Sequence, residues 1–173
     1  MCKPTVPRLR SHGLTLLELM AVLAVLSVLV ALALPPSTAL LQRQRLAAAA
    51  EALAGDLAEA RFQAASRGQV LHLASSGGPV WCWSVAISAG CDCSDLQATC
   101  HLKAVHAVDY PGVRMTEALQ ARLDPSGAGF SGSATLASPH GDLLRVELTP
   151  MGRPRVCAPG SGAVPSASRY PRC

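Results

Sequence analysis

The chain has 173 residues, half of them hydrophobic but only 3% aromatic, and a formal net charge of +4. That length excludes more than one substantial domain plus an appendage, and the shortage of aromatics makes any core thin and dependent on staples. The charge excludes a uniformly basic surface, because Lys3, Arg8 and Arg10 supply +3 of it ahead of residue 14 and the remaining chain is close to neutral.

The first element is the apolar run Leu14–Leu34, 21 residues long. As a helix it spans roughly 31 Å at about 1.5 Å per residue, which matches a hydrocarbon core of roughly 30 Å. Basic residues ahead of it predict a cytoplasmic N-terminus and an exported remainder. Ala31, Leu32 and Ala33 imitate a signal-peptidase site, but the run is too long for a secretory signal and Pro35 lies just beyond the cut. A plain anchor leaves Glu18 unexplained, since a lone carboxylate in such a segment costs about 2.5–3.5 kcal/mol and marks a partner. A cut between Gly13 and Leu14 would place a new α-amino group within a turn or so of Glu18. The ammonium of a neighbouring copy then pairs with that carboxylate inside a helix bundle.

Gly13 followed by Leu14, Thr15, Leu16, Leu17, Glu18 and Leu19 resembles the class III signal of type IV pilins and type II secretion pseudopilins. The resemblance implies that a prepilin peptidase removes residues 1–13 and methylates the nitrogen of Leu14. Glu18, the fifth mature residue, then guides assembly with other pilins or pseudopilins. It also implies a single-pass inner-membrane protein before assembly, with a periplasmic C-terminal domain, and a place on the cell-surface pilus afterwards. Pro35 falls where such pilins carry a helix-bending proline, whereas Leu14 departs from the commoner phenylalanine.

Residues 36–68 read as the second, one-sided half of the same helix. Leu46, Ala50, Leu53, Leu57, Ala60 and Ala64 recur every three or four residues as one stripe. Arg43, Glu51, Asp56, Glu59, Arg61 and Arg67 fall mostly elsewhere, and Gly68 is a natural cap. Over 69–173 the period changes to two. Trp81, Trp83, Val85 and Ile87 form one phase of a strand that follows a turn at Ser75–Pro79. Further strands are expected at Lys103–Val108, Val113–Thr116, Ala134–Ala137, Leu143–Leu148 and Arg153–Ala158, the last two as a hairpin about Pro150, Met151 and Gly152. The expected class is α+β, a pilin-like fold with a long N-terminal helix packed on an antiparallel β domain. Its pattern resembles the GspH/FimT-type minor pilins and pseudopilins.

Five arginines (Arg145, Arg153, Arg155, Arg169 and Arg172) face one acid, Glu147, after residue 142. Gly152, Arg153, Pro154 and Arg155 resemble the GRxR motif of FimT-type minor pilins that bind DNA during natural transformation. In an extended strand the two arginines share a face about 7 Å apart, near a phosphate spacing. Arg169 and Arg172 join them if the tail folds back, and four phosphate contacts give a salt slope of about −3.6. A Cys157–Cys173 bridge would tie that tail, closing a loop worth roughly 3 kcal/mol. Cys82, Cys91, Cys93 and Cys100 would form two more bridges of open pairing, in keeping with an oxidising compartment. The rival reading of Cys91, Cys93, Cys100 and His101 as a zinc site has the wrong spacing and the wrong compartment. His72, His106 and His140 stand singly and read as structural. No nucleophile-and-base pair, phosphate loop or metalloprotease motif appears, so neither an enzyme nor a cofactor is expected. The rival function is a pseudopilin-like subunit that primes a pilus or type II secretion filament and contacts protein alone.

Overall fold

The computed structural model describes residues 15–95, 98–126, 132–160 and 169–173, and of residues 32–37 the backbone alone. The chain divides into two compact units, Met1–Thr38 and Ala39–Cys173. One helix, α1 (Leu16–Arg67), contributes to both.

In the first unit, Thr15 caps α1. Its Oγ1 accepts the Glu18 backbone N–H at 3.2 Å, and its carbonyl accepts the Leu19 N–H at 3.1 Å. Thr-x-x-Glu is the capping-box signature, and an acid in the first turn complements the helix dipole. Every described side chain from 16 to 31 is exposed, Leu16, Leu17 and Met20 prominently. Among the described residues no helix is long and apolar enough to cross a membrane. The expected span from Leu14 to Pro35 includes Leu14 and side chains of 32–35, which lie outside those described, as do Gly13 and the leader.

In the second unit, the buried side of α1 is Leu46, Ala49, Ala50, Leu53, Leu57, Ala60 and Ala64. The expected stripe is there, with Ala49 added. Gly68, at φ 63°, ends the helix as Gln69 N–H reaches back to the Ala64 carbonyl at 3.1 Å, the Schellman arrangement that needs a left-handed residue. Eight strands follow: β1 (Leu71–Ser76), β2 (Cys82–Ala86), β3 (His101–His106), β4 (Arg114–Glu117), β5 (Gln120–Leu123), β6 (Gly132–Ala137), β7 (Leu143–Leu148) and β8 (Pro154–Cys157). They pair antiparallel into two four-stranded sheets, ordered β3-β2-β1-β5 and β4-β6-β7-β8. The inner faces of both sheets and the buried side of α1 form one hydrophobic cluster. The class is α+β, a helix packed on antiparallel sheets.

Trp81 and Trp83 lie fully buried on the inner face, with rings stacked at 5.2 Å. Their indole N–H groups donate to the Val113 carbonyl at 2.7 Å and to Asp56 Oδ2 at 2.8 Å. Asp56 therefore belongs to the buried side of α1, contrary to its expected place, because an indole and Lys103 Nζ at 2.5 Å satisfy its carboxylate. Three further expectations change. Ile87 is exposed beyond the end of β2. The strand placed at Lys103–Val108 begins at His101 and yields to a 3₁₀ turn, Ala107–Asp109, where Asp109 Oδ2 accepts the His106 N–H. Ser75 and Ser76 extend β1 rather than forming the turn.

Candidate functional site

The β7–β8 hairpin carries the arginine motif. Gly152 sits at φ 70° in the connecting turn, and its N–H donates to the Thr149 carbonyl at 2.7 Å. Only glycine adopts that region without strain. Arg153 follows, exposed, with its N–H on Thr149 Oγ1 at 3.1 Å. Pro154 opens β8, the edge strand of its sheet, where a missing N–H is tolerated. Val156 packs against the core, so alternation turns Arg153, Arg155 and Cys157 to the outer face.

That face has its own order, set by register. Thr135, Arg145 and Cys157 stand in one row across β6, β7 and β8, and Ser133, Glu147 and Arg155 in the next. Arg145 donates to Thr135 Oγ1 at 3.2 Å and to Glu117 Oε2 at 3.3 Å. Arg155 donates Nε and Nη2 to Glu147 Oε2 at 2.9 and 2.7 Å. The one acid of the C-terminal region thus occupies one of the two motif arginines. Among the described residues, Arg153, Arg169 and Arg172 carry no ion pair.

The tail returns to this hairpin. Ala158 N–H donates to the Pro171 carbonyl at 2.9 Å and Cys173 N–H to the Ala158 carbonyl at 3.2 Å, a parallel bridge between Ala158 and Arg172. Cys157 and Cys173 are joined. A second tie lies between them and the helix: the Tyr170 hydroxyl donates to Glu51 Oε1. Partial burial, reinforced by that hydrogen bond and the Glu51 charge, pushes the Tyr170 phenol up to about 12. Arg169 precedes Tyr170 and Arg172 pairs with Ala158, so the tail bears both just beyond Cys157, the last residue of the strand that carries Arg155. Sequence reasoning missed the Tyr170 tie, since nothing local links residues 51 and 170.

The other cysteines pair as Cys82–Cys93 and Cys91–Cys100. They pin the segment after β2 over the outer side of that strand, so β2 is buried on both faces, and His106 Nε2 lies 3.0 Å from the Cys93 carbonyl. Cys91, Cys100 and His101 do converge, but the bridges take two of their thiols and send Cys93 to a different partner.

The family model of the type II transport protein GspH matches residues 49–152, more than half of the chain. That of the prokaryotic N-terminal methylation motif matches residues 8–34, the stretch containing Gly13, Leu14 and Glu18. No curated protein sequence matches. Among solved structures, two crystal forms of the Pseudomonas aeruginosa type IV minor pilin FimU are similar in fold. One is 17% identical with a TM-score of 0.52, covering 68% of this chain and 99% of FimU. The other is 16% identical at the same score, covering 72% and 96%.

Proposed function

As the chain belongs to the GspH family of type IV pilins and pseudopilins, structural and non-enzymatic proteins, we propose that it is a minor pilin of the FimT type that captures DNA for uptake. The N-terminal methylation motif implies anchoring in the inner membrane and assembly with other pilins. In our reading a prepilin peptidase cuts between Gly13 and Leu14 and methylates Leu14. Glu18 then accepts the new N-terminus of a neighbouring subunit as residues 14–35 enter the filament core. Before that the chain spans the inner membrane once, with its N-terminus cytoplasmic.

The observation that supports DNA capture is the return of the disulfide-tied tail, which bears Arg169 and Arg172, alongside the end of β8, the edge strand that bears Arg155 next to Arg153. Arginine suits phosphate because its planar donors bind two oxygens at once. Contacts to phosphates alone carry no base information, so the capture is sequence-independent. The oxidised full chain in detergent is expected to shift duplex DNA at low salt, and Arg153→Gln/Arg155→Gln to lose most of that shift. Equal binding by the double variant would overturn the reading. A second reading, an assembly-initiating subunit without a DNA role, is favoured by one observation: Glu147 already occupies Arg155.

A further inference from the structure

The three disulfides lie in three different surroundings. Cys82–Cys93 is sealed, both cysteines being 2% exposed. Cys157–Cys173 joins a fully buried cysteine to an exposed one, and a Glu147 carboxylate oxygen lies within 4.8 Å of both sulfurs. Cys91–Cys100 joins a buried cysteine to a half-buried one, and His101 Nδ1 lies 2.9 Å from Cys91 Sγ.

Thiol–disulfide exchange needs access to one sulfur and a stable thiolate on the other. Cys82–Cys93 offers no access. Attack on Cys173 would expel a fully buried Cys157 thiolate beside the Glu147 carboxylate, and like charge opposes both its approach and its departure. Arg155 shares that carboxylate and only softens the repulsion. Attack on Cys100 expels Cys91, whose sulfur already has an imidazole nitrogen at hydrogen-bond distance. A thiolate beside such a donor is the better leaving group.

The geometry points to Cys91–Cys100 as a modification site for a low-molecular-weight thiol, with Cys100 the sulfur that takes the adduct and His101 the group that receives the expelled Cys91 thiolate. The incoming thiolate's electron pair forms the bond to Cys100 Sγ, and the pair of the broken Sγ–Sγ bond leaves on Cys91. His101 N–H donates to that charge. One disulfide replaces another, so nothing is oxidised or reduced overall, and return attack by Cys91 releases the thiol. The intact Cys82–Cys93 bridge and the His106 contact to the Cys93 carbonyl keep the segment on its sheet throughout.

The test is to treat the oxidised full chain in detergent, its free thiols alkylated beforehand, with excess glutathione. Adducts are trapped at intervals and mapped by peptide mass spectrometry. Cys100 is expected to acquire glutathione about tenfold faster than Cys82, Cys93, Cys157 or Cys173. His101→Leu is expected to slow this about fivefold, and His101→Asn, whose side-chain N–H falls near the Nδ1 position, to restore much of it. A first adduct at another bridge, or on Cys91, overturns the site. Wild-type speed in the leucine variant, or no rescue by asparagine, overturns the role of His101. The wild-type order of adducts decides the site even if a variant fails to fold.

Discussion

Arg155 places two nitrogens on one oxygen of Glu147, so a phosphate that takes this guanidinium must also leave a carboxylate behind. Glu147→Gln removes the competitor while keeping the side chain's size, and it is expected to tighten DNA binding several-fold in a titration at fixed salt. Weaker or unchanged binding would show that Arg155 does not touch DNA. Tyr170 supplies a second test at this scale. Its folded-state value of about 12 lies above the ordinary phenol value of about 10, so the folded state holds this proton more tightly than the unfolded one. The stabilisation is present below about pH 10 and is lost as pH rises through about 12. A phenol absorbance titration should show a transition near pH 12 that Tyr170→Phe abolishes. Titration of the Tyr170 phenol near the ordinary value of about 10 would contradict the tie to Glu51. Gly152 was legible in the sequence because its requirement is local, a left-handed turn. The partner of Arg155 was not, because only register sets residue 147 opposite residue 155, and neither was Asp56, since charge on a helix reads as solvated until an indole reaches it.

Leu53 lies at the centre of the α1 stripe and is fully buried among both sheets. Leu53→Ala is expected to cost about 2–5 kcal/mol, the range for a truncated core leucine, measured by denaturant unfolding under oxidising conditions. A cost below about 1 kcal/mol would mean that the helix does not pack there. The stripe could be read in advance because helical spacing repeats over many turns. β7 could be read because its burial alternates cleanly. β1 and β5 were missed for opposite reasons: β1 ends in two serines that read as turn, yet Ser75 is held inside by Leu119, donating to its carbonyl at 2.8 Å and accepting its N–H at 2.7 Å. β5 has four residues, too few for a period to show. The tail is an element only through its ties. Replacing Cys157 and Cys173 by serine is expected to cost roughly 3 kcal/mol and to weaken DNA binding by loosening Arg169 and Arg172.

For the molecule as a whole, the two ends have different tasks. The N-terminal helix exposes apolar side chains from residue 16 to 31, interrupted by Glu18 and Ser27, a surface suited to lipid or to other helices. Glu18→Ala should be processed normally by prepilin peptidase yet enter filaments poorly, as judged by its level in sheared pili. Normal incorporation would show that the carboxylate complements the helix dipole alone. The family and the helix were legible from that one stretch, because a charge inside an apolar run has few explanations. What the exported domain holds was less legible, since it depends on how many arginines stay unpaired after folding.

The salt dependence of DNA binding counts them. Three unpaired arginines, Arg153, Arg169 and Arg172, with Arg155 exchanging one partner for another, predict a slope of log K against log salt of about −2.7 for duplex DNA, steepening to about −3.6 in Glu147→Gln. No binding at the lowest salt, or a slope near zero, would contradict the account and leave a filament subunit that contacts protein alone.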